Sequence, residues 1–476
     1  MAFRFNSDRL SSDDNNVFYF DQGVGDEMLA PDELSQLLSK HNRAMHNWFN
    51  KLMKYYLGKH SILEKMSKAP GKPDNRLIVN FAKELVDTEV GYFAGTPVKF
   101  DYDDNGKPND ELDQAINKFV DINDLTDIVA ELAKQVDIFG RSYVLVYQNE
   151  EKETRVAPVD PRNGFIVYDS SIEKRPVFGI YYTQKQRNGE LSGTLYTKTD
   201  AYSFTGTPGS EMTISDEVMD NQFMNVPMVE FYASTERQGL FEQVMSLIDA
   251  VEVALSNKGN DIDYFSNTIM KVINAKLKPD IIKDMIDKRV INVASVDTER
   301  DVTIDFMNKP DADGIQENFL DRVIDMIYNK SNVANFNDDV FGNASGTSLE
   351  FKLQSMSTAA NMKERKFKMS LRQMWRLAFT IGATLPLDTG DKNYANNVKM
   401  TFKRTVPHNV QDEANTAKVM LDAGVDRKTA LSEISTIEDP DAVIKAKERE
   451  QKDAAKSMMG SLSDETDADF DKQEAK

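Results

Sequence analysis

Between residues 349 and 378 apolar side chains return at helical spacing. Leu349, Leu353, Met356, Ala360, Phe367, Leu371, Met374 and Ala378 fall within an arc of about 60° when successive residues are turned by 100°. So narrow a stripe on so long a segment predicts a rigid helix over 348–389 that lies with one face against other structure. Its start is marked by Thr347-Ser348-Leu349-Glu350, a capping box in which the Thr347 hydroxyl accepts from a free backbone N–H and Glu350 reaches back. Ahead of it, Asn337-Asp338-Asp339-Val340-Phe341-Gly342-Asn343-Ala344-Ser345-Gly346 is acidic and rich in Gly and Asn, which predicts a loop free to move.

The same reading organises the rest of the chain. Residues 1–30 are polar and Asn/Asp-rich and are expected to form a flexible N-terminal arm. Helices are predicted from Pro31 through Tyr56, from Asn80 to Phe93 and from Leu112 to Ile138, with Lys68-Ala69-Pro70-Gly71-Lys72-Pro73 as a break. Gly140 then opens a β-rich stretch with strands at 142–147, 165–168, 177–182, 193–197 and 228–232, and Asn188-Gly189 marks a hairpin. Beyond Gly239, Leu240, Phe241, Val244, Leu247, Ile248, Val251 and Leu255 trace one face of a long helix. A small mixed insert follows, with strands at 270–273, near Ile291 and at 302–306, and a short helix after Pro279. The next helix is expected to turn Ile315, Phe319, Val323, Ile324 and Ile327 inward. A strand at 398–405 and charged helices from 410 onward, separated at Pro440, complete the chain, whose end has the composition of a disordered tail. The pattern is α+β, mainly helical.

The chain has 476 residues, 40% of them hydrophobic, enough for several cores. No apolar run is long enough to span a bilayer, and Met1-Ala2-Phe3-Arg4-Phe5-Asn6-Ser7-Asp8 lacks the apolar core of a secretory signal. With no cysteine there is neither a disulfide nor a thiolate metal site. The net charge of −20 repels phosphate and argues against DNA binding over the whole surface, though not against DNA passing through a channel. The charge is sorted by element: between 348 and 376, Lys352, Lys363, Arg365, Lys366, Lys368, Arg372 and Arg376 face only Glu350 and Glu364. That basic face has a plain reading, as cations solvated or paired with acidic neighbours, and a functional one, as contacts to phosphates.

Signatures of chemistry fail one by one. Gly58-Lys59-His60, Gly71-Lys72-Pro73 and Gly106-Lys107-Pro108 all lack the hydroxyl residue of a phosphate-binding loop, so no nucleotide-driven motor is predicted. His41 and His46 stand five apart, off the spacing of a helical zinc pair, and read as surface helix residues. Asp101, Asp103, Asn105 and Gly106 match the opening of a calcium loop, but position twelve is Leu112, Glu111 comes one residue early and Pro108 disturbs the run. An acidic turn is the reading, with no metal and no cofactor.

Three sets of segments, in order, resemble portal proteins of long-tailed phages that infect Gram-positive bacteria. They are Asn75-Arg76-Leu77-Ile78-Val79-Asn80-Phe81-Ala82-Lys83 with Val86-Asp87-Thr88-Glu89-Val90-Gly91-Tyr92-Phe93-Ala94-Gly95-Thr96-Pro97, then Asp137-Ile138-Phe139-Gly140-Arg141-Ser142-Tyr143 with Pro158-Val159-Asp160-Pro161, then Ser345-Gly346-Thr347-Ser348-Leu349 with Lys363-Glu364-Arg365-Lys366-Phe367. The likeness covers nearly the whole chain. It implies a portal fold: a wing (31–235, with the long helix 348–389 and the strand region 390–408), stem helices (236–264 and 313–332), a clip (265–312), a tunnel loop (333–347) and a crown with a charged tail (409–476). It further implies a non-catalytic ring, a dodecamer at one vertex of the virion capsid, assembled in the host cytoplasm. Double-stranded DNA passes through such a ring in packaging and ejection. The terminase large subunit, head-completion or adaptor proteins, and major capsid and scaffolding proteins are the implied partners. The residues expected to face DNA are Asn337, Asp338, Asp339, Asn343 and Ser345, with Gly342 and Gly346 as hinges. Two other classes compete: a metal-dependent nucleic-acid-processing enzyme built on scattered carboxylates, and a membrane-surface or scaffold interaction protein using the basic helix. The narrow apolar arc of that helix favours protein packing over lipid.

Overall fold

The computed structural model describes residues 6–21, 28–69, 72–104, 109–184, 189–209, 212–266, 270–273, 303–306, 313–336, 346–388, 393–405 and 410–434, with scattered positions up to 449. The chain divides into two compact units, one of residues 1–335 and 354–405, the other of 336–353 and 406–476.

The first unit is built on a seven-stranded sheet and a layer of helices. Strands β1 (Leu10–Ser12), β2 (Phe18–Phe20), β6 (Gly164–Asp169), β7 (Pro176–Gln184), β8 (Leu191–Tyr196), β9 (Asp200–Gly206) and β10 (Met212–Asp220) lie in that order, antiparallel except for the β2–β6 pair. Strands β4 (Arg141–Gln148) and β5 (Thr154–Val159) form a second sheet with β11 (Met228–Tyr232). Helix α1 (Pro31–Ala44) packs Leu34, Leu37 and Leu38 into the core made by Phe18, Phe165, Phe178, Ile180 and Phe204. Alternation put the β7–β8 hairpin where it stands; β5, β9 and β10 were not read from the sequence, because their polar faces break the period.

Three expectations need correction. Residues 6–21 are not a loose arm: β1 and β2 extend the sheet, Phe18 and Phe20 are fully buried, and the Arg141 guanidinium donates to the carbonyls of Asn15 and Asn16. The segment's Asn/Asp content belongs to its turn, while its aromatics belong to the core. The single helix expected from 112 to 138 is two, α4 (Asp110–Ile122) and α5 (Leu125–Phe139), because Asp124 takes a left-handed conformation with φ 47°. His41 is buried rather than superficial: its Nδ1 meets the Tyr182 hydroxyl at 2.7 Å and its Nε2 the Pro161 carbonyl at 2.9 Å. Burial lowers its pKa to about 3, so the ring is a neutral core residue. The side chain of His46 lies outside the described residues.

The helix expected over 236–264 begins later, as α6 (Met245–Ser266), after a 3-10 turn at Glu242–Val244. Gly140 explains the delay. It ends α5 at φ 78°, and a Cβ there would collide with the Arg237 carbonyl, so the chain at 237–240 runs tight across the end of α5. The Leu240 N–H donates to the Asp137 carbonyl at 2.7 Å in the same crossing. Helix α7 (Asp313–Ser331) packs beside α6 through Leu320, Val323 and Ile327, while Ile315 and Phe319 stay exposed, contrary to the inward face expected for them. Between α6 and α7, strands β12 (Met270–Ile273) and β13 (Thr303–Phe306) pair antiparallel; the strand near Ile291 and the helix after Pro279 lie outside the described residues.

Helix α8 (Gly346–Ala378) is the long helix of the sequence, starting two residues before the expected 348. Within the first unit its stripe is buried as the spacing requires: Met356, Ala360, Phe367, Leu371, Met374 and Ala378 are all fully enclosed. Phe367 sits between Phe93 of α3 (Phe81–Ala94) and Phe231, with ring centroids 5.1 and 5.4 Å away. Trp375 fills the space beside Phe100 and Phe119. The short β3 (Lys99–Tyr102) pairs with β14 (Val398–Thr401), which leaves Asp101 in a strand opposite Lys399, while Asn105 and Gly106 lie outside the described residues. In the second unit, α10 (Val410–Asp422) follows the short α9 (Tyr394–Asn397) of the first and packs against α11 (Arg427–Ser432), which Asp426 caps by accepting from the Thr429 N–H at 2.9 Å.

Candidate functional site

Of the residues expected to face DNA, Asn337, Asp338, Asp339, Asn343 and Ser345 lie outside the described residues, as does the hinge Gly342. The ends of that segment are described. Helix α7 closes with Asn332 at φ 57°, and the Val333 N–H returns to the Tyr328 carbonyl at 3.3 Å. Gly346 is the first residue of α8, so it opens a helix rather than interrupting a loop. Helices α8 and α6 are tied into the first unit by polar contacts that the sequence reading missed.

The first tie holds α8. Lys363, counted among surface cations, is buried, and its ammonium donates to both carboxylate oxygens of Asp137 at 2.7 Å. Glu89 of α3 lies 3.8 Å away, and the ammonium stands 4.6 Å from the centroid of Phe93. One cation therefore faces two carboxyls in an apolar setting. Burial pushes both acids up and Lys363 opposes the rise; Glu89 still reaches about 7. Lys363, Asp137 and Glu89 come one from each of the three sets of segments quoted above, so the structure draws the separated motifs to one point. The remaining cations of that face go elsewhere. Lys368 pairs with Glu364 at 2.7 Å, Arg376 donates to the Asn396 side chain at 3.1 Å, and Arg365 and Arg372 are exposed.

The second tie fixes the strand that carries α6. Arg237, at φ 52°, donates through Nε and Nη2 to the two oxygens of Glu230 at 2.8 and 2.9 Å, and the Tyr168 hydroxyl donates to the same carboxylate at 2.7 Å. Burial alone would raise the pKa of Glu230, but these donors outweigh it and hold the group below the ordinary carboxylate value. Ser370 of α8 donates to the Glu230 carbonyl at 2.7 Å, joining the two ties.

The third holds α6. The extended segment 72–80 runs antiparallel along that helix. The N–H groups of Asn75, Leu77 and Val79 donate to the side chains of Asn260, Ser256 and Glu252, at 2.6, 2.9 and 3.3 Å. The match is geometric. Alternate residues of a strand advance about 6.6 Å, and residues four apart on a helix about 6 Å, so three rungs form before the two drift apart. The lowest rung also carries a buried contact: His60 Nδ1 lies 2.5 Å from Glu252, and neither side chain is exposed. Burial disfavours the charged imidazole, but Glu252, the Tyr55 carbonyl and Asp249 prevail and raise its pKa above the ordinary histidine value. Asp249 in turn accepts from the hydroxyls of Tyr55 and Ser61 at 2.7 and 3.1 Å.

A groove of about 790 Å³ opens where β7 and the β8–β9 turn approach the end of α8, lined by Arg175, Lys198, Asn225 and Arg376 together with Asp169 and Asp200. Its charges are mixed and partly engaged, Asp169 by the Arg175 N–H at 2.9 Å and Asp200 by the Thr199 hydroxyl at 2.5 Å. No group of three or more metal-ligating side chains occurs among the described residues. The described arrangement is thus one of mechanical fastening: three ties that hold α8, the strand leading into α6, and α6 itself.

Comparison with known proteins follows the same line. The family described as "Phage portal protein, SPP1 Gp6-like" matches residues 36–457. The portal protein of Bacillus phage SPP1 is 25% identical over 429 residues, covering 85% of this chain and 81% of its own. The portal protein of Clostridium phage phiCD119 is 22% identical over 395 residues, covering 76% and 84%. A solved chain from the neck of an empty GTA particle is similar at a TM-score of 0.46 and 10% identity, over 81% of this chain and 93% of that one, a likeness too loose to argue from.

Proposed function

Because the chain belongs to the phage portal protein family of the SPP1 Gp6-like kind, we propose that it forms a ring at one vertex of a tailed-phage capsid and conducts double-stranded DNA during packaging and ejection. The observation that carries this reading is the family match across residues 36–457. Within this chain the quoted motifs converge on the Lys363–Asp137–Glu89 cluster, which is in keeping with that match. In this reading the ring is a dodecamer and has no catalytic role. The wing takes in 31–235 and 348–408 together with the strands before residue 21. The stem is 236–264 and 313–332, the clip 265–312, the tunnel loop 333–347 and the crown 409–476. The terminase large subunit, head-completion proteins, and capsid and scaffolding proteins are the partners. Asn337, Asp338, Asp339, Asn343 and Ser345 face the DNA. Acids there lower its residence on the wall, because like charge repels the duplex at short range.

A packaging reaction with purified heads, terminase and DNA tests the function. Heads lacking the chain should take up no DNA, and uptake at the ordinary rate without it would overturn the reading. The same reaction tests the hinge. Proline is tolerated at the first residue of a helix, so Gly346 is a poor place to probe, whereas Gly342→Pro should leave rings intact and slow uptake severalfold. Ordinary uptake by that variant would remove the moving loop from the account and leave the conduit standing.

A further inference from the structure

His60 and Glu252 meet where water does not reach, and the hydrogen-bond chemistry of their contact requires a proton in it. His60 Nε2 lies 2.8 Å from the Tyr55 carbonyl, which can only accept, so Nε2 carries a hydrogen. Nδ1 lies 2.5 Å from Glu252 Oε1, and two lone pairs do not approach so closely without a hydrogen between them. That hydrogen belongs either to an imidazolium or to a carboxylic acid. In both cases the pair holds one proton more than a neutral imidazole beside a carboxylate. Both side chains are fully buried, and Glu252 Oε2 has no hydrogen-bond partner among the described residues.

The contact sits at the foot of a larger one. Glu252 Oε1 also accepts from the Val79 N–H at 3.3 Å, the first of the three rungs that lay segment 75–79 along α6. The two ends of the segment are pinned by other means. Asn80 Nδ2 donates to the Tyr56 carbonyl at 3.0 Å, and Asn75 Nδ2 donates to Asp263 at 2.5 Å. Around the imidazole, the Tyr55 ring stacks with its centroid 4.5 Å away, and the Tyr55 hydroxyl donates to Asp249 at 2.7 Å. Asp249 and Glu252 both favour the added proton, and no lysine or arginine pairs with either among the described residues. The charged side chains of the adjoining turn and segment pair with each other, Lys54 with Glu64 and Arg76 with Asp74, both at 2.8 Å, while Lys59 and Lys65 are exposed.

From this geometry we infer that the His60–Glu252 pair is a pH-sensitive latch, which holds the middle of segment 75–79 on α6 while it keeps its proton and releases it when the proton is lost. Without the proton, the Nδ1 lone pair faces a carboxylate whose one donor among the described residues is the long Val79 N–H. A buried charge so poorly matched is costly to keep. Glu252 therefore turns toward solvent and takes the Val79 rung with it, and the Leu77 rung loses its neighbour. The pinned ends stay, so the part set free is Leu77 to Val79. The direction of the switch is fixed by the raised pKa of His60: the latch is closed below the ordinary histidine value of 6.5 and opens as pH rises through the folded value. All of its parts lie in one chain, so it stands apart from the ring reading.

Hydrogen exchange of the purified full-length protein, read from pH 6 to pH 9 and corrected for the intrinsic base-catalysed rate, tests the latch. Protection of the Leu77 and Val79 amides should fall severalfold over that range relative to protection of Val144 in β4. Glu252→Gln sets an amide N–H in place of the shared proton, and His60→Gln removes the titrating ring. The fall should vanish in both, with Leu77 staying protected at pH 9 in Glu252→Gln. Glu89→Gln, which removes another group that titrates in this range, should leave the fall in place. Leu77 and Val79 protection that follows Val144 at every pH in the unsubstituted protein would overturn the latch, whether or not the variants fold. So would a fall that Glu89→Gln abolishes, or one that survives in Glu252→Gln or His60→Gln.

Discussion

Lys363, Asp137 and Glu89 place one cation and two carboxyls in a site from which water is excluded. The sign of the consequence is fixed. Glu89 has a folded pKa of about 7, above that of an unfolded glutamate, so the folded chain holds the extra proton and stability falls as pH rises from about 4.5 to about 7. His41 acts the other way: its folded pKa of about 3 lies below the unfolded value, so its contribution is lost as pH falls below about 6.5. Glu89→Gln keeps the shape and removes the first titration. It should stabilise the chain at pH 8 by about 3 kcal/mol, the equivalent of a shift of roughly two and a half pH units, and leave it nearly unchanged at pH 4.5. Thermal denaturation of the two proteins across that range checks this, and parallel curves would show that Glu89 does not titrate there. Lys363 was legible in principle. On the helical wheel it stands at the margin of the apolar stripe, about 140° or more from Arg365, Arg372 and Arg376, so its angle marked it as a core residue even though its charge did not.

At the scale of elements, the helices are where the chemistry of the account lies. The stripe of α8 could be read because a single period of 3.6 governs it, and the structure buries those positions. The rungs between 75–79 and α6 could not, since they join residues about 180 positions apart through backbone donors that leave no mark on the side-chain pattern. The short segment at 6–21 misled for a related reason: three-residue strands are too brief to show alternation, and only the enclosed Phe18 and Phe20 reveal them. Ser256→Ala removes the middle rung at a cost of about 1 kcal/mol. Hydrogen exchange of the Leu77 amide should accelerate about five-fold or more in that variant while the amide of Val144, in the middle of β4, keeps its rate. Equal exchange at Leu77 in both proteins would mean that the rung carries no load.

For the whole molecule, the family membership makes the chain a portal protein, and its sequence carries no phosphate-binding loop. The acidic total of −20 suits a wall past which DNA slides. What the sequence could not supply at this scale is the pairing of surfaces between copies, because an interface across subunits has neither period nor order along one chain. The central claim is that this chain closes into a ring around a hole wide enough for duplex DNA. Electron microscopy of the purified full-length protein, at a concentration where it sediments as one species, tests it most directly. The account predicts annular particles with a central channel wide enough for duplex DNA. Solid particles, or open filaments that never close, would contradict it.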